Sequence, residues 1–322
     1  MEPVVSFIVP VFNGARWVER ALTSLQRQTY PDFEVIVVDD GSQDESFLRC
    51  QAFAQTDCRF SVYSIAHCGL SGARNFGLLK IKGAYVGFLD ADDWLEENFT
   101  LLLLNAMQSQ DAEIASCLSA PAQAPCRDAG GPPEGIQAER YAPGEYLAIE
   151  YRNPAVNVRM GNRLYVRRLF DHVTFPDGML YEDIVTNYRL CRQCRVAVHI
   201  PAPLHNYFIG NESITRSPLH EKDFDLPRQW EQVCQMVKED FPALVPVVQA
   251  MQITALRALA DKYSRYGGDA GAAKSLVRAF RKVLPQAVCS REIPVGKKLR
   301  TLAGSVSLPM YQAVTNLIRR DS

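Results

Sequence analysis

Three acidic clusters stand where carboxylates can do chemistry. Asp90-Ala91-Asp92-Asp93 follows the apolar run Tyr85-Val86-Gly87-Phe88-Leu89. Carboxylates this close repel one another unless a cation or donor group offsets them. Oxygen ligands of this kind suit Mg²⁺ or Mn²⁺ with phosphate oxygens in the shell. The alternative is helix capping by Asp92 or Asp93. Asp39-Asp40-Gly41-Ser42 follows the second apolar run, Glu34-Val35-Ile36-Val37-Val38. These carboxylates can accept from ribose hydroxyls or a base N–H, or simply shape a capped turn. Glu182-Asp183 follows Phe175-Pro176-Asp177-Gly178. Acids opening a helix favour the positive end of its dipole. The same position can present a general base at a cleft.

Other chemistries lack their residues. The first strand is not followed by Gly-x-Gly-x-x-Gly, and the chain contains neither a Walker sequence nor a Gly-x-Ser-x-Gly elbow. Cys191-x-x-Cys194 has no second pair at useful spacing and reads as structural. The five histidines form no His-x-x-x-His pair.

The elements that must position these clusters follow from periodicity. Strands are predicted over 4–9, 35–38, 60–65, 85–89 and 113–118, with amphipathic helices between them. In the first helix Trp17, Ala21 and Leu25 share one face at i, i+4, i+8. The alternation predicts a mostly parallel sheet covered on both faces, with ligands at the carboxyl ends of its strands. Residues 121–135 hold four prolines and three glycines and read as a loop or flap. A helix is predicted over 181–191, a strand over 195–200 and an irregular loop over 202–217. From Trp230 onward the pattern is helical.

The length of 322 residues suits roughly two domains of about 150 residues. A net charge of -1 excludes a globally basic polyanion binder. The charge is uneven: residues 245–322 hold 13 Lys+Arg against 4 Asp+Glu. That tail is either a solvated helical cap or a surface for anionic lipid headgroups. The nine cysteines are an odd count and read mostly as buried thiols in a reducing compartment. No signal peptide is recognised, and the expectation is a soluble cytoplasmic protein, with the inner membrane face open as a peripheral site.

Five segments occur together in order: Val9-Pro10-Val11-Phe12-Asn13; Leu25-x-x-Gln28-Thr29; Val37-Val38-Asp39-Asp40-Gly41-Ser42; Gly69-Leu70-Ser71-Gly72-Ala73-Arg74-Asn75-Phe76-Gly77; and Gly83-Ala84-Tyr85 running into Phe88-Leu89-Asp90-Ala91-Asp92-Asp93. In this combination the chain resembles the family-2 glycosyltransferases over about residues 4–210, most strongly over 4–95. The resemblance implies an α/β GT-A fold. Its catalytic domain would span 1–225, with a nucleotide-sugar half at 1–118 and an acceptor half at 119–225. A helical extension would occupy 226–322. The implied activity is inverting transfer from a nucleotide-diphosphate sugar, with UDP the favoured carrier, to a glycan or lipid-linked saccharide.

By motif matching, Pro10, Val11, Asn13, Asp40 and Arg74 would surround the nucleoside, with Asp40 reading the base and Asp39 supporting the turn. Asp90, Ala91 and Asp92 match the Asp-x-Asp motif, with Asp92 and Asp90 as ligands of Mn²⁺ or Mg²⁺. Asp93 would meet the sugar or the metal's water shell. Asp183 corresponds to the catalytic base, with Glu182 as the alternative. Asn162-Arg163-Leu164-Tyr165 resembles an Asn-Lys-Leu-Tyr segment near the acceptor. His205, Tyr207, Ser213 and Thr215 resemble a late loop that closes over the diphosphate. Members commonly carry Asn where this chain has His67, which changes the donor contact there.

Two other functions compete. A nucleotidyltransferase would need a Gly-rich basic loop after the first strand, which Phe12-Asn13-Gly14-Ala15-Arg16 does not match. A non-catalytic sugar-nucleotide or glycan-binding protein has no need of the Glu182-Asp183 pair.

Overall fold

The computed structural model describes residues 4–122, 136–153, 156–210 and 217–320. Contacts divide the chain into two compact units, Met1–Gly178 with Thr186–Ile209, and Met179–Val185 with Gly210–Ser322.

The first unit is built on a sheet. Its strands are β1 (Val5–Val11), β2 (Phe33–Asp39), β3 (Phe60–Ser64), β4 (Tyr85–Phe88), β5 (Trp94–Leu95), β6 (Ile114–Ala122), β7 (Glu139–Tyr141), β8 (Arg163–Val166) and β9 (Ala197–Phe208). The helices are α1 (Val18–Gln26), α2 (Ser46–Ala54), α3 (Gly69–Leu78), α4 (Phe99–Gln110), α5 (Pro143–Arg152) and α6 (Asp183–Gln193), whose first turn groups with the second unit. Strand order is β3-β2-β1-β4-β8-β6-β9-β5, with β7 also on β9.

The pairs β3-β2, β2-β1 and β1-β4 are parallel, as the alternating pattern predicts. Beyond β4 the sheet is mixed. Strand β8 lies antiparallel to both β4 and β6, and β9 is parallel to β6 but antiparallel to β5 and β7. Val5, Phe7, Val9, Val35 and Val37 are buried and pack with Val18, Leu22 and Leu25 of α1. Sequential strands run outward from β1 to β2 and β3, and then β4 returns to the other side of β1. That reversal opens a crevice at the carboxyl ends of β1 and β4.

Two sequence expectations change here. Residues 202–208 continue β9 and are not loop. Pro201 and Pro203 obscured this strand. They are tolerated because the β6–β9 register slips at Cys117/Leu118 and Leu118/Ser119, where the ladder demands fewer donors. His205 and Tyr207 are therefore strand residues; Ser213 and Thr215 lie outside the described residues. Of the expected flap, Pro121 and Ala122 end β6, and 123–135 lie outside the described residues.

Within the sheet, His199 of β9 is buried, with Nδ1 2.9 Å from Ser116 Oγ. Burial pushes its pKa down to about 4, opposed by Glu139 and reinforced by Arg163. An unfolded histidine titrates near 6.5, so between those values the unfolded chain binds the extra proton. Stability is full above the unfolded value and falls as pH drops toward the folded one. From pH 7 to pH 5 the loss from this group is about 2 kcal/mol. Urea unfolding at both pH values measures it, and a His199→Gln variant should lose that part of the difference.

The second unit is helical: α7 (Asp225–Asp240), α8 (Val245–Tyr266), α9 (Ala270–Cys289), α10 (Val295–Val306) and α11 (Leu308–Arg320). Its core gathers Ile253, Leu256 and Leu259 of α8 with Leu276, Phe280 and Val283 of α9 and Tyr311 of α11. The stretch Pro242–Tyr266 is long and apolar enough, by length and composition, to cross a membrane, yet half of its apolar window is buried inside the protein.

Candidate functional site

The polar ends of β1, β2 and β4 meet at the crevice. Asn13 follows β1 in the left-handed region at φ 49°. Its backbone N–H donates to Ser42 Oγ at 3.0 Å, and its Oδ1 accepts from the Gln43 N–H at 2.8 Å. The loops after β1 and β2 are thus clamped together. Pro10 and Val11 are buried at the end of β1 beneath this clamp.

Asp40 is 3% exposed and shapes the next turn. Its Oδ1 accepts from the Cys68 N–H at 2.7 Å and its Oδ2 from the Gly69 N–H at 2.9 Å. Gly69 sits at φ +84°, a conformation that an L side chain resists. His67 places Nδ1 2.9 Å from Asp40 Oδ2 and 3.1 Å from the Asp40 carbonyl. Cys68 Sγ adds a contact to Oδ1 at 3.3 Å, so the roughly four lone-pair sites of the carboxylate are all met within this turn. Asp39 accepts from Ser64 Oγ at 3.1 Å, while its buried Oδ1 has no hydrogen-bond partner among the described residues.

Sequence reasoning gave Phe12 no role. Its ring is 48% exposed and stacks on His67, with centroids 4.2 Å apart. The pair makes an aromatic platform beside Asp40, suited to the face of a base. The available signal was a large apolar side chain placed just past a strand end.

At the end of β4 the acids divide by role. Asp90 is partly exposed, and its Oδ1 accepts from Arg74 at 2.7 Å. Arg74 itself is 3% exposed and lies over the rings of Phe88 and Phe175. Asp92 has its pKa pushed up to about 7, first by burial and then by Asp93 and Asp90. Ala91 between them is half-buried.

Asp93 is 2% exposed, and both of its oxygens face β9. Oδ1 accepts from the Phe208 N–H at 2.9 Å, and Oδ2 is 3.1 Å from His205 Nε2. This corrects the expectation that Asp93 and His205 face a ligand: they tie the acidic turn to β9. Tyr207 lies under the Arg159 guanidinium, 3.3 Å from the ring centroid.

Arg20 of α1 was also not anticipated. Its guanidinium donates to the Asp92 carbonyl and lies over Trp94 at 4.2 Å and Phe208 at 4.6 Å. Burial lowers its pKa, while Asp92 and Asp93 oppose that shift. It supplies a resident cation to the acidic turn.

The fit to a divalent cation follows from these roles. Among the described residues no group of three or more His, Cys, Asp or Glu is arranged to hold a metal ion. Asp93 is spent on β9, which leaves Asp92 and Asp90. Asp92 is crowded by like charge, and a cation would relieve that crowding. Two carboxylates suit Mg²⁺ or Mn²⁺, which take much of their shell from phosphates and water.

Asn162 and Arg163, expected near an acceptor, are both wholly buried. Asn162 Nδ2 donates to the carbonyls of Cys117 and Val156. Arg163 pairs with Glu150 at 2.7 Å, both side chains fully enclosed, and donates to Asn187 Oδ1. They brace the sheet and do not meet solvent.

Glu182 and Asp183 open α6. Glu182 is 5% exposed, whereas Asp183 is only half-buried and sits in the helix's first turn. The preceding Tyr181 adopts φ 60°. Its hydroxyl has a pKa raised to about 12 by burial and then by Asp223, Asp183 and Asp225.

The family model for Glycosyl transferase family 2 matches residues 6–173. Glycosyltransferase GlyA of Streptococcus pneumoniae serotype 4 is 28% identical over 226 residues, 66% of this chain and 31% of that protein. EpsJ of Bacillus subtilis, described as an uncharacterized glycosyltransferase, is 38% identical over 117 residues, 36% of this chain and 34% of its own length. The matched region thus spans about a third of each relative. Among solved structures, S. aureus TarS 1-349 in complex with UDP-GlcNAc superposes with a TM-score of 0.71 at 15% identity, over 99% of this chain and 92% of that one. The mannosyltransferase PcManGT of Pyrobaculum calidifontis, in complex with GDP-Man and Mn²⁺, gives 0.56 at 17% identity, over 95% and 87%.

Proposed function

Because the chain belongs to glycosyl transferase family 2, we propose that it moves a sugar from a nucleotide-diphosphate sugar to a hydroxyl of a glycan or lipid-linked saccharide. The observation that carries this reading is the crevice at the ends of β1, β2 and β4. There an aromatic platform, the Asp40 turn and two available carboxylates come together. UDP is the proposed carrier. The likeness in fold to TarS, solved with UDP-GlcNAc, supports it.

In this reading the base stacks on the Phe12–His67 pair, and Asp40 accepts from its edge in place of its contact with His67 or Cys68 Sγ. Pro10, Val11 and Asn13 frame the nucleoside, and Arg74 sets the position of Asp90. Asp92 and Asp90 would hold Mn²⁺ or Mg²⁺, which offsets charge on the leaving diphosphate. Asp183 takes the proton of the acceptor hydroxyl as that oxygen attacks the anomeric carbon, and one displacement inverts the centre. Its exposure supports Asp183 over the enclosed Glu182, and the helix dipole favours a carboxylate there. The catalytic unit is proposed as 1–225, with 226–322 as an extension whose basic surface meets the inner face of the membrane.

A donor-by-acceptor screen with Mn²⁺, read by mass spectrometry, tests the function. Sugar transfer from one nucleotide donor is the expected result; binding without any turnover would refute it. An Asp92→Ala variant should lose the metal dependence of donor binding, and retained dependence would move the ligand elsewhere. Asp40→Ala removes two charge-assisted hydrogen bonds that hold the turn at Cys68 and Gly69. Its affinity for UDP should fall by about 10- to 100-fold. Calorimetric titration gives that number directly, and an unchanged affinity would remove Asp40 from the nucleoside site.

A further inference from the structure

The start of α7 reaches back to the segment that leads into Glu182-Asp183. Residues 179–185 belong to the same compact unit as 210–322. Asp225, in the first turn of α7, is 7% exposed, and its Oδ2 accepts from the Leu180 N–H at 3.2 Å. Its Oδ1 accepts from Arg228 at 3.2 Å, which sets the orientation of the carboxylate. One helical turn further on, Gln229 is wholly buried, and its Nε2 donates to Met179 Sδ at 3.7 Å. Two side chains at i and i+4 on one face of α7 thus hold two consecutive residues of this segment.

The residue that follows them is strained. Tyr181 stands at φ 60°, a conformation that an aromatic L residue resists. Such a backbone persists only where its surroundings over-determine it. Hydrogen bonds bracket it here. On one side is the bond from Leu180 to Asp225; on the other the Tyr181 carbonyl accepts from the Ile184 N–H at 3.2 Å. Gly178, at φ 69°, makes the turn before it. Burial and the charges of Asp223, Asp183 and Asp225 keep the Tyr181 hydroxyl protonated, so the strained residue adds no charge of its own. Without Asp225, Tyr181 could return to negative φ. Its carbonyl would then turn away from Ile184, and the first turn of α6, which carries Asp183, would loosen.

We propose that Asp225 is a positioning residue for sugar transfer: by holding the Leu180 N–H it keeps Tyr181 left-handed and so fixes the turn that presents Asp183 to the acceptor hydroxyl. This deepens the proposed role of Asp183 as base, and rests on that reading. It gives α7 a part in the chemistry, at a position that touches no substrate.

Hydrogen exchange of the full chain, read on peptides spanning 176–186, tests the tie without any ligand. Asp225→Ala should exchange there about tenfold or more faster than wild type, with α8 and α9 unchanged. Asp225→Asn, whose Oδ1 can still accept from Leu180, should stay near wild type. Turnover with the donor and acceptor selected by the screen tests the consequence. At saturation Asp225→Ala should be about 10- to 100-fold slower, and Asp225→Asn should recover to within about fivefold of wild type. UDP affinity should be unchanged in both. A group that acts through Asp183 adds little once Asp183 is disabled, so Asp183→Asn with Asp225→Ala should stay within about threefold of Asp183→Asn alone. Unchanged exchange at 176–186 in Asp225→Ala would overturn the proposal. So would faster exchange spread through α8 and α9, or a double variant slowed by the full factor of the single one, since both mark general loosening. Failure of Asp183 as base would appear separately, as a wild-type rate in Asp183→Asn alone, whatever the exchange shows.

Discussion

An Asp183→Asn variant will bind UDP as tightly as the wild type and transfer sugar about 10²- to 10⁴-fold more slowly. The amide keeps the size and polarity of the side chain but cannot take the acceptor's proton. Asp183 lies in the first turn of α6 and is only half-buried, which suits a group that must reach substrate. Turnover at saturating donor and acceptor isolates the proton-transfer step, and calorimetry with UDP isolates the donor site. A variant that keeps more than about a tenth of the wild-type rate is too active to have lost a general base. In that event Glu182 becomes the candidate despite its burial, and Glu182→Gln decides between them.

The second large effect is on stability. Glu150 and Arg163 form an ion pair at 2.7 Å with both side chains wholly enclosed. Asn187 completes the group, donating to Glu150 Oε2 at 2.8 Å and accepting from Arg163. Glu150→Ala leaves the guanidinium buried without its counter-charge, which costs about 3–5 kcal/mol. Urea unfolding should show that loss. The double variant Glu150→Met with Arg163→Met should lose less than the single one, because it leaves no buried charge behind. A loss below about 1 kcal/mol in the single variant would mean that water reaches the site.

The clusters at Asp39-Asp40 and Asp90–Asp93 were legible in the sequence because each follows a dense apolar run, whereas Glu182-Asp183 follows a Pro-Asp-Gly turn and was legible as acids opening a helix. Strand ends declare themselves through the switch from Val and Ile to Asp, Gly and Ser. The parallel half of the sheet was legible for the same reason. Arg163 was not. Its partners Glu150 and Asn187 lie on other elements, and nothing local marks an arginine as interior. Asp93 looked like its neighbours Asp90 and Asp92. Only the arrival of β9 assigns it to His205 and Phe208. Strand β9 was itself obscured by Pro201 and Pro203, whose cost is cancelled by a register slip that depends on β6. Phe12 and Arg20 were overlooked because a stacking ring and a cation under aromatic rings have no motif of their own.

The tie from Asp93 to β9 also bears on the order in which the protein is made. Residues 1–95 contain every carboxylate proposed for the donor, but His205 and the Phe208 N–H leave the ribosome more than a hundred residues later. Until then Asp93 has neither partner and adds its charge to Asp90 and Asp92. A nascent or truncated chain ending near 118 would carry the complete set of donor motifs and an unsettled acidic turn. The donor crevice is therefore a late product of synthesis, although its motifs are among the first residues translated.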